Sequence, residues 1–396
     1  MARRSLVVSV VTEEKGLLDT DVGGCTARDY LLESLSKRPG AEVVLAACSA
    51  AELNAKTISG ADLLVVDGRA WFSSEAVTGA FLKGRSAAKC TRIVEPSPIH
   101  VRGGLRTLAV YFPADRRGAK RFEQRPASKA RGGLERILRP GPLEKAKVIL
   151  NSALDATQPP FLIDSYAAIA ELEKHVQLER AKRALKDGVR IRDPRRVYIR
   201  GQLECGSGVE IEIDVIIEGH VVLEDGVKVD AHSIIRNSRI GKDTKVHPFS
   251  LVDGSTVGRD TFIGPYGRVR PGSVIGNNVQ IGNYVEIKSS RIGDGSRINH
   301  HSFIGDAVLG TQVTIGAGSI TCNHDGTGIN ETIIERGAYV GSGCNLVAPL
   351  RVGEGATIGA GSTVTRDVPA AKLTVARAPQ IVVEGWPGPK SRSKSK

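Results

Sequence analysis

From about Val197 onward, isoleucine, valine or leucine returns at every sixth residue. Ile263, Val269, Ile275, Ile281 and Ile287 keep a strict step of six, as do Ile334, Val340, Leu346, Val352, Ile358 and Val364. Steps of five occur from Ile287 to Ile292 and from Ile304 to Leu309. Each unit reads as one short strand and a turn, and three units close a triangular coil. The aliphatic side chain fills the axis and a small residue permits the bend. One coil cannot bury its apolar face alone, so coils must stack into a solenoid. A glycine count of 45 and an aromatic content of 4% suit many tight turns and argue against a helical bundle. The repeat breaks once, between Thr321 and Glu331 in TCNHDGTGINE. There the chain must loop outward from a rigid scaffold, a common place for function.

The first 160 residues follow another pattern. SLVVSVVT, AEVVLAACS, ADLLVVDG, TRIVEP and LRTLAVYF read as strands, and ARDYLLESLSK and SEAVTGAFLKG as helices. Such alternation suggests an α/β layer. A helix is then expected, started by Asp164 or Ser165 and ended by Gly188. Ile169, Leu172 and Val176 mark its one apolar stripe, as befits a helix bridging two domains. The expected division is an α/β domain at 1–160, a linker helix at 164–188, a β-solenoid at 195–370, a C-terminal arm at 371–386 and a disordered basic tail at 387–396.

Charged residues make up 25% and hydrophobic ones 41% of the 396, an ordinary soluble composition. No apolar run is long enough to span a membrane, and the first apolar run reads as a strand rather than a signal peptide. The six cysteines are dispersed without a CxxC pair, which argues against a disulfide framework or a zinc ribbon and points to the cytoplasm. The net charge of +12 is concentrated at 115–147 and in the tail PKSRSKSK. Phe122 is the one ring in the first stretch and the tail has none, so a solvated face plus a tail is expected. Nonspecific nucleic-acid contact is the lesser reading, since stacking aromatics are missing.

Several strings go beyond a generic hexapeptide: DGVRIRDPRRVYIRG, VIIEGHVVL, GRVRPGSVIG, IGNYVEIK, IGAGSITCNHDG and VGSGCNLVAPLRVGEGATIGAGSTVTRDVP, then ARAPQ and EGW. In this order, from about Tyr166 to Trp386, they resemble the C-terminal half of the GlmU family. Those bifunctional enzymes acetylate glucosamine 1-phosphate and then uridylylate it. The resemblance implies a left-handed parallel β-helix, acetyl-CoA as co-substrate, an amino-sugar acceptor, and a homotrimer with active sites between subunits. No metal is expected in that site.

Within the resemblance, His300 falls on the family's catalytic base, a role that suits an imidazole titrating near neutral pH. His301, its neighbour, falls at the turn, and Glu286 is expected to orient His300. Ala317, Asn323, Ser342, Ala360 and Arg377 fall on CoA-contacting positions. The alanines would let the pantetheine arm lie against the coil, Asn323 and Ser342 could hydrogen-bond an amide or the thioester carbonyl, and Arg377 could pair with a phosphate. Arg270 and Lys288 fall on phosphate and sugar contacts, eighteen residues apart and so about one coil apart. Three acceptor positions depart from the family. Phe303 stands for a tyrosine, Thr314 for an asparagine and Ile329 for a lysine, and His324 replaces a tyrosine beside Asn323. A pocket that has lost a hydroxyl, an amide and a cation binds the same polar ligand less well, by about 1–3 kcal/mol per partner. A changed acceptor or weakened activity is the expectation.

The family's first half is a nucleotidyltransferase whose Gly-rich loop cradles phosphates. Here EEKGLLDTDVGG follows the first strand, with two carboxylates where phosphates would sit, and Arg69 stands for the magnesium-binding aspartate. The expectation is a shrunken, degenerate nucleotidyltransferase-like domain with no magnesium site and no uridylyltransferase activity. Two other functions compete: a non-catalytic trimeric scaffold, and a metal-dependent hydratase with His300, His301 and His324 converging between subunits. Adjacent histidines on a strand point apart, which counts against the second.

Overall fold

The computed structural model describes residues 6–11, 46–48, 62–67, 70–71, 91–96, 105–112, 147–150, 161–163 and 165–386. The chain forms two compact units, Met1–Glu179 and Arg180–Lys396. In the first unit the strands are β1 (Leu6–Val11), β2 (Ala46–Cys48), β3 (Asp62–Asp67), β4 (Ala70–Trp71), β5 (Thr91–Pro96), β6 (Leu105–Phe112), β7 (Lys147–Leu150) and β8 (Phe161–Leu162). Six of them make a mixed sheet in the order β2-β1-β3-β6-β5-β7. In it β1 runs parallel to β2 and β3, β6 antiparallel to β3 and β5, and β7 parallel to β5. SLVVSVVT, ADLLVVDG, TRIVEP and LRTLAVYF hold β1, β3, β5 and β6, and of AEVVLAACS the described part, Ala46–Cys48, is β2. β7 was not foreshadowed, because its four residues follow directly on a charge-rich stretch. The two expected helices, the loop after β1, Arg69, Asp164 and the basic tail lie outside the described residues.

Helix α1 spans Tyr166–Lys186. Ser165 caps it, its hydroxyl accepting from the Ala168 N–H at 3.2 Å. Ile169, Leu172 and Val176 are buried, as the stripe requires. Gly188, at φ +93°, ends the helix. The Val189 N–H reaches back to the Ala184 carbonyl at 3.0 Å and the Gly188 N–H to that of Leu185 at 3.2 Å, the paired bonds of a left-handed C-cap.

The second unit is a parallel β-helix. Each coil contributes three short strands that pair in parallel with the coils before and after. Ile281 sits beneath Ile298, Ile287 beneath Ile304, and Ile292 beneath Leu309. On the six-residue step, the aliphatic residues from Ile263 to Ile287 and from Ile334 to Val364 lie inside, none more than 3% exposed. Buried serines and threonines line the inner corners and tie coil to coil. The Ser290 hydroxyl donates to the Lys288 carbonyl at 2.7 Å and accepts from the Ala307 N–H at 3.0 Å. The interruption at 321–331 leaves the coil and rejoins it in register, with Ala307 beneath Thr332. Leu373–Thr374 pairs with Thr357–Ile358, so the solenoid extends into the segment expected as a separate arm. Among the described residues no helix is long and apolar enough to cross a membrane.

One corner of the prism carries a column of rings. His232, Phe249, Tyr266, Tyr284 and His301 occupy equivalent positions in successive coils, all in the left-handed region, at φ 45–61°. Their centroids are 4.8, 5.0, 5.0 and 4.9 Å apart. That is the spacing of neighbouring strands, so the first four rings lie flat on one another, and His301 stacks on Tyr284 at a tilt of 29°. Above His301 the same position is held by Gly318, Gly343 and Gly361, at φ +73°, +68° and +73°. The column of rings therefore gives way to an open edge.

Candidate active site

The change from rings to glycines happens at His300 and His301. His300 ends the strand Arg297–His300 and is exposed. The residue before the corner in each coil forms its own column. It is traced by backbone bonds: His301 N–H to Asn283 carbonyl (3.0 Å), Gly318 to His300 (3.3 Å), Gly343 to Ala317 (2.7 Å) and Gly361 to Ser342 (2.8 Å). Asn283, His300, Ala317, Ser342 and Ala360 thus stand one above another. Four residues picked from separate motifs share one edge of the solenoid. Arg377 continues that edge, its Cδ 3.9 Å from where a Cβ on Gly361 would stand. The coils can stack this closely only because small residues meet there. A Cβ on Gly316 would come within 2.4 Å of the Ser342 nitrogen.

The two histidines have different surroundings. The His301 ring is spent on the column, stacked on Tyr284. His300 Nδ1 lies 2.8 Å from Asn283 Oδ1. The partner expected for His300, Glu286, is engaged elsewhere. Its carboxylate binds Arg270 at 3.0 Å and approaches Arg268 at 3.7 Å. The reason is the register. Glu286 points outward on the face beyond the corner, between Arg268 below and Phe303 above, whereas Asn283 is directly beneath His300. Asn283 was legible as a partner, since it precedes His300 by one coil.

Arg270, Lys288 and Phe303 lie on that next face. Lys288 Nζ is 2.9 Å from the Asp306 carboxylate, so both candidate phosphate-binding cations carry a carboxylate partner. The Phe303 ring lies across Gly305, with Cζ only 2.6 Å from where a Cβ would be. Asn323 is 6% exposed. Its Nδ2 donates to the carbonyls of Asn330 at 2.8 Å and Asp306 at 3.3 Å, and its Oδ1 is buried without a partner. A buried carbonyl oxygen left unpaired is costly and calls for a donor. Thr314 lies on the face before the corner, between Arg297 and Tyr339. Within one copy of the chain, Thr314 and Phe303 are therefore on different faces.

The projecting loop is ordered by Asp325. Its carboxylate accepts from the Thr327 and Gly328 N–H groups, each at 2.8 Å, and from Asn330 Nδ2 at 2.9 Å. The Thr327 N–H bond first, then that of Gly328, holds this carboxyl well below the usual carboxylate range. His324 and Ile329 pair across the loop, and Ile329 is 59% exposed. The His324 ring accepts from the Gly326 N–H at 3.0 Å. Among the described residues no group of three His, Cys, Asp or Glu side chains is placed to hold a metal ion.

Known proteins resemble this chain over its solenoid. The model of the bacterial transferase hexapeptide (six repeats) matches residues 254–289 and 272–306. The bifunctional protein GlmU of Herminiimonas arsenicoxydans is 49% identical over 227 residues, covering 57% of this chain and 50% of that protein. The GlmU of Nitrosospira multiformis is 49% identical over 234 residues, 59% of this chain and 51% of its own length. That of Azoarcus sp. (strain BH72) is 46% identical over 235 residues, 59% and 52% respectively. These matches fall on the C-terminal part of the chain and leave the N-terminal part uncovered. The chain spans about half the length of the curated relatives it matches. Among solved structures, the UDP-N-acetylglucosamine acyltransferase of Francisella novicida is 19% identical, with a TM-score of 0.36, covering 47% of this chain and 66% of that one.

Proposed function

We propose that this chain, kin in its C-terminal part to proteins named bifunctional protein GlmU, is an acetyl-CoA-dependent N-acetyltransferase. Its acceptor is an amino-sugar phosphate, glucosamine 1-phosphate or a related amino sugar, destined for nucleotide-sugar synthesis. It lacks uridylyltransferase activity. The observation that carries the reading is the single corner column in which Ala317, Ser342 and Ala360 rise from His300. A pantetheine arm laid along that open edge brings its thioester to the imidazole. The acceptor's neutral amine attacks the thioester carbonyl carbon. The C–N bond forms, the C–S bond breaks, and the amine proton passes to His300 Nε2 and from there to the leaving thiolate.

Arg270 and Lys288 face the acceptor's phosphate. Asn323 Oδ1 receives an N–H from the bound ligand, which removes its desolvation cost. Phe303 and Ile329 put apolar surface where a hydroxyl and an ammonium would otherwise hold the sugar, so the acceptor differs from glucosamine 1-phosphate or is turned over weakly. That Phe303 and Thr314 lie on different faces of one copy supports a homotrimer with sites between subunits. Thiol release from acetyl-CoA, measured with glucosamine 1-phosphate and a panel of amino sugars, tests the reading. Release with none of them sinks it. Failure to bind acetyl-CoA at all leaves a non-catalytic scaffold. Pyrophosphate release from UTP with N-acetylglucosamine 1-phosphate and magnesium should stay at background.

A further inference from the structure

If His300 is the base, its ring must offer the acceptor a nitrogen that carries no proton. We infer that Asn283 is the positioning residue that fixes which nitrogen this is. This inference rests on the acyl-transfer reading only for its effect on turnover. The contact itself is a feature of the resting protein.

Asn283 and His300 are register partners in adjacent coils, and Oδ1 lies 2.8 Å from Nδ1. An amide carbonyl only accepts hydrogen bonds. Nδ1 therefore carries the hydrogen and donates it, and the lone pair of Nε2 faces outward. The height of one residue over the other is set on both sides. Below, the His301 N–H bonds the Asn283 carbonyl at 3.0 Å, and the next rung is the Tyr284–His301 stack. Above, the Gly318 N–H and the Ser302 hydroxyl both donate to the His300 carbonyl, at 3.3 and 2.9 Å. Backbone and rings thus hold the amide under the imidazole.

A neutral amide is what this position offers in place of a carboxylate. The strands flanking Arg297–His300 are Gln280–Asn283 and Thr314–Ile315, and neither carries a titratable side chain. On the strand itself the other charged residue is Arg297, and His301 lies just beyond it. Glu286 is taken by Arg270. The amide holds the ring through one nitrogen and leaves the proton that arrives at Nε2 free to move on to the leaving thiolate.

The test uses the full chain labelled with 15N at histidine, with His300→Ala to assign the ring signals, and needs no substrate. Long-range 1H–15N spectra should show native His300 with its hydrogen on Nδ1. In Asn283→Ala the Nε2–H form, preferred by an unconstrained histidine side chain, should become the major one. Turnover of acetyl-CoA should fall about ten- to hundredfold, part of the ~10²–10⁴ that a general base is worth, with the KM for acetyl-CoA unchanged. Asn283→Asp, of nearly the same shape, keeps the Nδ1 hydrogen and turns over at alkaline pH. Its carboxylate favours the imidazolium, so the acid limb of kcat/KM moves to higher pH. Persistence of the Nδ1–H form in Asn283→Ala, or an acid limb in Asn283→Asp that stays in place, overturns the inference. Unimpaired turnover by His300→Ala would instead remove the base assignment and leave the tautomer result standing.

Discussion

Val274 and Ile275 are neighbours in sequence and opposites in environment, 44% and 2% exposed respectively. Ile275 stands on Val257 and beneath Ile292, both buried. Val274 stands between Thr256 and Arg291 on the outer face. Ile275→Ala removes three buried carbons, about 2.4 kcal/mol at ~0.8 kcal/mol for each. Stacked coils held by backbone ladders above and below cannot collapse fully into the gap, so the total belongs in the range of about 2–5 kcal/mol. Val274→Ala, a surface truncation, should cost about 0.5 kcal/mol or less. Equilibrium unfolding in urea resolves the difference, provided both variants and the parent are compared at one protein concentration, since association adds apparent stability. Equal costs for the two substitutions, or a cost below about 1 kcal/mol for Ile275→Ala, would refute the register on which every other assignment rests.

Other consequences can be checked separately. Burial pushes the Cys205 thiol up to about 12, with Asp187 adding to the effect. Since the thiolate is the reactive form, iodoacetamide at pH 8 should spare Cys205 in the folded chain and label it after denaturation, as read by mass spectrometry. Fast labelling of the native protein would contradict the raised value of this half-buried thiol. Asp325 is held below the ordinary carboxylate range, so its contribution to loop order is present above the unfolded value of about 3.9 and is lost only as pH falls through the lower folded value. A 13C titration of its carboxyl should have its midpoint below that of a peptide aspartate, and an ordinary midpoint would deny the bonds to Thr327 and Gly328. Lys288→Ala should raise the KM for an anionic acceptor about ten- to hundredfold, the range of a charged hydrogen bond. The KM for acetyl-CoA should hold steady, and equal effects on both would place Lys288 outside the acceptor site.

Much of the solenoid could be read beforehand because its rule is periodic. A side chain at every sixth position must point to the axis, and Ile263 through Val364 all do so. The five-residue steps at Ile292 and Leu309 also stay inside, because a shorter turn changes the corner and not the inward position. The site was harder. His300, Ala317, Ser342 and Ala360 come from different motifs, and only the counting of coils puts them on one edge. The pairing of His300 with Asn283 rather than Glu286 follows from the same count. Asn283 is one coil back, while Glu286 lies past the corner on another face, where Arg270 claims it. The aromatic column left little trace in a composition with 4% aromatics, since its members are a full coil apart in sequence. In the first unit, β1, β3, β5 and β6 announce themselves as aliphatic runs, but their mixed order depends on pairings between distant segments that no local pattern encodes.

The central claim is that an imidazole at the foot of the small-residue column transfers an acyl group. Wild-type and His300→Ala proteins, incubated with acetyl-CoA and an amino-sugar phosphate, can be compared directly by thiol release and by the mass of the sugar product. The wild type should release thiol and add one acetyl group to the amine, while His300→Ala should be slower by about 10²–10⁴-fold with native-like unfolding. Equal rates from the two proteins would contradict the claim.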